Sequence, residues 1–103
     1  MGMDFSAVEG TPIVSAAKGV VSYAAWKSGY GYTVEVDHGF GIMTRYAHSS
    51  KILVERGQAV ARGVILAQVG RSGTATASHL HYEIWVHGVA KNPVDYILNG
   101  VIP

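Results

Sequence analysis

The sequence predicts a small all-β domain, and three observations support this prediction. The chain has 103 residues, which suffices for one domain with one hydrophobic core. Hydrophobic residues make up 49% of it and charged residues only 15%, so enough apolar surface can be buried to offset the loss of chain entropy. Thirteen glycines lie between short β-branched and aromatic runs, which is typical of brief strands joined by tight turns.

Seven runs are the candidate strands, and they predict a meandering antiparallel sheet because tight turns join antiparallel neighbours. One short helix is expected near the end of the sequence. Asn92 is its predicted N-cap, Pro93 its first residue and Asn99-Gly100 its end. The candidate strands cover residues 11–16, 19–26, 32–38, 42–48, 59–61, 64–69 and 80–86.

Composition excludes several classes of protein. Eight Lys and Arg against seven Asp and Glu leave a formal charge of +1, without a basic cluster that could follow a phosphate backbone, so a nucleic-acid partner is not expected. The absence of cysteine excludes disulfides and thiolate metal sites. No apolar run approaches the roughly 20 residues of a membrane span, and no signal peptide opens the sequence, so membrane insertion is not expected either.

The last candidate strand carries the most informative pattern. Side chains of a strand point to opposite faces in turn, so its apolar residues share one face, which is interpreted as core. The other face gathers two imidazoles and a carboxylate, which predicts a functional site. The apolar face consists of Leu80, Tyr82, Ile84 and Val86, and the other of His79, His81, Glu83 and Trp85.

Four residues are candidates for chemistry. His79 and His81 lie about 7 Å apart along one face, so their rings can converge on one small volume. There they could bind a metal, transfer protons, or do one of each. The spacing alone also fits two half-exposed histidines, because zinc needs more ligands than this pair supplies. His48 ends a predicted strand, and Asp4 is a carboxylate among apolar residues; taken singly, each also fits an ordinary surface residue. The remaining histidines, His38 and His87, lie beside glycines in predicted turns and are interpreted as structural.

Short motifs follow one another in a distinctive order: G-M-D at 2–4, G-T-P-I at 10–13, K-G-V-V at 18–21, G-Y-G at 29–31, V-E-V-D-H-G at 34–39, T-R-Y-A-H at 44–48, G-Q at 57–58 and S-H-L-H-Y-E at 78–83. In this order they resemble the lysostaphin/LytM-type family of zinc metalloendopeptidases, from about residue 2 to residue 98. The resemblance implies a LytM-type fold, a small antiparallel sheet or sandwich with a duplicated hybrid motif and one short C-terminal helix.

The resemblance also implies roles for the four candidates. Asp4 and His81 match two ligands of the family's catalytic zinc, and His48 and His79 match the histidines that flank the attacking water and the developing oxyanion. The remaining ligand is the histidine of an H-x-x-x-D motif, which would stand one position ahead of Met1 and is not in this sequence. We therefore expect residues 1–103 to be a single LytM-type peptidase domain without its first histidine ligand, with reduced zinc affinity and activity.

The expected function is zinc-dependent hydrolysis of peptide cross-links or stem peptides of bacterial peptidoglycan, in the cell envelope by family analogy, whether periplasmic or extracellular. The alternative is a catalytically degenerate module that binds and activates a cell-wall amidase, which the missing ligand favours. Retention of His48, His79 and His81 favours the enzyme. A third class, a sugar-transport phosphocarrier of similar fold with paired histidines, leaves Asp4 and the T-R-Y-A-H motif unexplained.

Overall fold

A computed structural model describes residues 2–75 and 77–93, and within them the chain forms nine strands of one antiparallel sheet. The all-β prediction is confirmed; of the predicted helix only the N-cap Asn92 and the first residue Pro93 are described, and residues 94–98 lie outside the described residues. In the described part no helix has the length and apolar character needed to cross a membrane. The strands are β1 (Met3–Ser6), β2 (Pro12–Val14), β3 (Gly19–Lys27), β4 (Gly31–Gly39), β5 (Ile42–Ile52), β6 (Ala59–Val60), β7 (Ile65–Val69), β8 (His79–Val86) and β9 (Val89–Lys91).

The longest strand, β5, changes partner along its length. One edge pairs with β4, while the other pairs with β8 as far as Ala47 and with β7 from Ser49 onward. His48 stands at this change of partner. The register with β4 also shifts here, between Tyr32 and Val34, so β5 carries a bulge. The backbone of His48 accordingly adopts φ 61°, a left-handed conformation uncommon outside glycine.

All seven candidate strands correspond to observed strands, with shifts at their ends, but two short strands were not predicted. Both β1 and β9 pair along the edge of β8 that faces away from β5. The turn into β9 is formed by His87 and Gly88, with φ 50° and 76°, as two-residue hairpins require. β1 is mostly exposed and lacks a regular apolar alternation, so its sequence carries no strand signal.

The hydrophobic core confirms the two faces predicted for the last strand. Tyr82 and Ile84 are buried, and Leu80 and Val86 pack partly buried against them. Because the alternate residues must point the other way, β8 presents both of its histidines on the opposite face. The core residues that are buried with them include Ile13, Val21, Val34, Val36, Tyr46, Leu66, Ala67 and Val69.

Two buried tyrosines in this core allow a matched test of the structure. The Tyr46 hydroxyl accepts hydrogen bonds from the Ala16 amide at 2.9 Å and from Thr44 Oγ1 at 2.9 Å. The Tyr82 hydroxyl has no hydrogen-bond partner among the described residues. We expect Tyr46→Phe to lower the free energy of unfolding in urea by about 1–3 kcal/mol, and Tyr82→Phe to change it by less than about 1 kcal/mol. Equal losses in the two variants would contradict these hydrogen-bond assignments.

Candidate active site

The four predicted site residues lie together at one end of β8. Asp4 is opposite His81 in the register of β1 and β8. Its Oδ1 atom lies 2.7 Å from His81 Nδ1 and 3.4 Å from His79 Nε2. The ring of His48 has its centroid 5.0 Å from that of His79 and 6.0 Å from that of His81. Three imidazoles and one carboxylate therefore share a small volume.

Two of these imidazoles are oriented by backbone carbonyls. Nδ1 of His48 lies 2.7 Å from the Ser72 carbonyl oxygen, and Nδ1 of His79 lies 2.9 Å from that of Ala77. Because a carbonyl oxygen can only accept, Nδ1 is the protonated nitrogen in each ring. Nε2 of each ring is consequently the nitrogen left for other partners, and Nε2 of His79 is the atom directed at Asp4.

The loop after β7 holds His48 in place. Besides accepting from His48, Ser72 donates its hydroxyl to the Ser49 carbonyl and accepts from the Tyr32 amide at 3.0 Å. Gly73 lets the loop approach this closely, because a Cβ there would lie 2.5 Å from the Gly31 amide nitrogen. Sequence reasoning missed Ser72, since the glycines around it indicate only a turn.

Asp4 is the most exposed member of the site, with 64% of its side chain accessible. The hydrogen bond from His81 is the main cause that lowers the pKa of Asp4, and the charges of His79 and His48 act in the same direction against a smaller effect of burial. The carboxylate is therefore ionised at neutral pH and available as an oxygen ligand.

A buried carboxylate, Glu83, lies directly behind His81. Its Oε2 accepts from His81 Nε2 at 2.8 Å, while Oε1 accepts from Arg45 Nη1 at 2.7 Å and from Trp85 Nε1 at 2.9 Å. Burial would raise the pKa of Glu83, but the hydrogen bonds from Trp85 and His81 and the charge of Arg45 outweigh it and lower the pKa. Glu83 was placed on the site face from the sequence, but its contacts were not predicted.

Arg45 connects Glu83 to a second acidic residue. Its Nε donates to Glu35 Oε2 at 2.8 Å, so the guanidinium is held between two carboxylates on neighbouring strands. The strand register places the three side chains in one row across the sheet, because Glu35 is opposite Arg45 and Arg45 is opposite Glu83. The sequence shows these charges, but only the strand pairing brings them into line.

The donor set partly fits a zinc ion. Asp4 Oδ1 and His81 Nδ1 are atoms of the types that zinc binds, and they face each other at 2.7 Å. This is shorter than the roughly 3.3 Å between two ligands of a tetrahedral zinc, so the exposed Asp4 would have to move slightly away. Among residues 2–75 and 77–93, no three His, Cys, Asp or Glu side chains form a complete metal site. Asp4 and His81 would therefore supply two of the three protein ligands usual in catalytic zinc sites.

Comparison with known proteins identifies the family of this chain. The family model of peptidase family M23 matches residues 1–93. The peptidoglycan DD-endopeptidase ShyA of Vibrio cholerae is 44% identical over 91 residues, which is 88% of this chain and 21% of that protein. The chain spans about a fifth of the length of the curated relatives it matches.

Solved structures share the fold. A zinc-containing peptidase from Vibrio cholerae superposes with a TM-score of 0.84 and 36% identity, over 87% of this chain and 28% of that one. The catalytic domain of the antimicrobial peptidase lysostaphin from Staphylococcus simulans gives a TM-score of 0.89 and 30% identity, over 94% of this chain and 77% of that one. These matches confirm the resemblance seen in the sequence, and the chain belongs to peptidase family M23.

Proposed function

We propose that this chain carries the active site of a zinc-dependent endopeptidase that hydrolyses peptide cross-links or stem peptides of bacterial peptidoglycan. The observation that supports this most is the approach of His79 and His81 to one oxygen of Asp4, with His48 beside them. The activity of the relative ShyA, a peptidoglycan DD-endopeptidase, supports the substrate class. Since peptidoglycan is an envelope polymer, we place the activity in the cell envelope.

Asp4 and His81 would hold the zinc ion. When bound, zinc polarises a scissile carbonyl and lowers the pKa of a coordinated water. A histidine one position ahead of Met1 would supply a further ligand, because alternate residues of an extended chain face the same side and it would share that side with Gly2 and Asp4. A Cβ on Gly2 would lie 2.8 Å from His81 Cε1, so this side of the chain lies against the His81 ring.

His48 and His79 would act as the proton-transfer groups. With Nδ1 of each ring donating to a carbonyl, Nε2 is free to accept the proton of the attacking water. The resulting imidazolium can donate a hydrogen bond to the oxyanion of the tetrahedral intermediate and then pass its proton to the leaving amine. Their separation, with ring centroids 5.0 Å apart, allows one histidine to serve the water and the other the oxyanion.

The proposed function is tested on purified peptidoglycan, with this chain and with a version extended by one histidine ahead of Met1. We expect zinc-dependent conversion of cross-linked muropeptides to uncross-linked ones, detected by chromatography and mass spectrometry, and faster with the extended version. A chelator should stop the reaction. Failure of both versions to cleave any peptide bond in the presence of zinc would contradict the proposal.

The second candidate is a non-catalytic module that activates a cell-wall amidase, favoured by the incomplete ligand set of the described residues. It predicts that the chain cleaves no peptide bond, yet accelerates removal of whole stem peptides from the glycan by a purified cell-wall amidase. Retained muropeptide cross-links together with released stem peptides would favour it over the enzyme.

The close contact of Gly2 with His81 gives a further prediction. Gly2→Ala is expected to lower zinc affinity by about 10-fold or more, because the added Cβ displaces a ring that two carboxylates hold in place. Met3→Ala, which changes the neighbouring position on the other side of β1, is the control and should bind zinc as the unmodified chain does. Equal zinc affinity of the two variants in a chelator competition assay would rule out this packing argument.

A further inference from the structure

Glu83 forms a hydrogen bond with one of the two ring nitrogens of His81. Both oxygens of this carboxylate are engaged, and Glu83 is only 2% exposed. An ionised carboxylate only accepts hydrogen bonds, so Nε2 of His81, at 2.8 Å from Oε2, carries a proton. Nδ1 is then the nitrogen that faces Asp4: it donates to this carboxylate in the metal-free chain, and it can offer its lone pair to a metal ion that displaces the proton.

We propose that Glu83 is a positioning residue, which holds His81 with Nε2 protonated and Nδ1 directed at the metal site, and that Arg45 anchors Glu83 in this role. This rests on the proposed function insofar as His81 is a zinc ligand. Arg45 suits the task because its Nη1 is directed at Glu83 Oε1, at 2.7 Å. Its side chain is 11% exposed, so the anchor is shielded from water.

The substitution Glu83→Gln tests this role, because every neighbour of Glu83 described above donates a hydrogen bond to its carboxylate. If the amide oxygen of the glutamine still accepts from Arg45 and Trp85, its NH2 group faces His81 Nε2. Two donors cannot form a hydrogen bond with each other, so Nε2 could not stay protonated there. His81 would then lose the proton on Nε2 and keep the one on Nδ1, so its lone pair would point away from Asp4 and the metal site. Glu35→Gln is the matched control, since it makes the same chemical change on the other side of Arg45.

The experiment records the imidazole nitrogen signals of His81 by two-bond ¹H–¹⁵N NMR, and zinc affinity by chelator competition. In the unmodified chain and in Glu35→Gln we expect Nε2 to be protonated with or without zinc. In Glu83→Gln we expect the Nδ1-protonated form and zinc affinity lower by about 10- to 100-fold. Circular dichroism and urea unfolding establish that each variant is folded.

The outcomes separate this inference from the proposed function. If Glu83→Gln is folded and keeps both the Nε2 proton and the zinc affinity of Glu35→Gln, the positioning role is overturned. If Glu83→Gln does not fold, an unprotonated Nε2 in the unmodified chain overturns the role, and a protonated Nε2 with zinc on Nδ1 supports it. If neither the unmodified chain nor its histidine-extended version binds zinc, the proposed function fails, whereas the His81 spectra of the metal-free variants still decide the role of Glu83.

Discussion

Replacing His81 by alanine is expected to remove specific zinc binding and to lower peptide hydrolysis by roughly 10³-fold or more, since the group that activates the nucleophile is lost with the metal. The structure gives the reason. His81 is the imidazole whose Nδ1 lies 2.7 Å from Asp4 Oδ1, so its loss leaves the exposed Asp4 and the added histidine without the third protein ligand of a catalytic zinc site. Zinc retained after dialysis and the rate of muropeptide cleavage are the two measurements, made on the histidine-extended chain.

A histidine outside the site provides the control for this prediction. His87 lies in the turn before β9 with φ 50°, a conformation that asparagine tolerates, so His87→Asn should retain both zinc and activity. If His81→Ala keeps stoichiometric zinc, or if His87→Asn loses it to the same extent, the assignment of His81 as a ligand is wrong.

The second large effect concerns proton transfer. His79→Ala and His48→Asn are each expected to lower kcat by about 10²- to 10⁴-fold, the usual contribution of a general acid or base. Asparagine is chosen at position 48 because the backbone there has φ 61°, which alanine would adopt only under strain. Zinc affinity should change little in either variant, because Nε2 of each ring acts on the attacking water or on the oxyanion rather than on the metal.

The comparison of kcat with zinc affinity decides this prediction. A loss of activity that follows a parallel loss of zinc would make His48 or His79 a metal ligand instead of a proton-transfer group. Retained activity in both variants would remove them from the mechanism altogether. Cleavage rates at saturating zinc, with zinc content measured on the same samples, distinguish these cases.

Much of this arrangement could be predicted from local patterns. Alternation along β8 is a property of any strand, so the sequence alone assigns Tyr82 and Ile84 to the core and His79 and His81 to the other face. Glycine-rich turns between β-branched runs likewise predict the all-β fold. The convergence of Asp4 with these histidines rested on resemblance to a family, because β1 shows no strand pattern of its own.

Contacts between residues distant in sequence could not be predicted in this way. His48 reaches the site because β5 bulges where it passes from β8 to β7, and neither the bulge nor the positive φ has a local sequence signal. Glu35, Arg45 and Glu83 form a row only because three strands pair in one register. Such long-range pairing depends on the packing of the whole sheet.

Calorimetric titration of zinc into this chain and into the version extended by one histidine tests the central claim most directly. We expect one site in each, tighter in the extended version, and no specific binding after Asp4→Asn or His81→Ala. Equal affinity of all four proteins, or absence of binding in both unsubstituted versions, would contradict the assignment of Asp4 and His81 as zinc ligands and favour the activator of a cell-wall amidase.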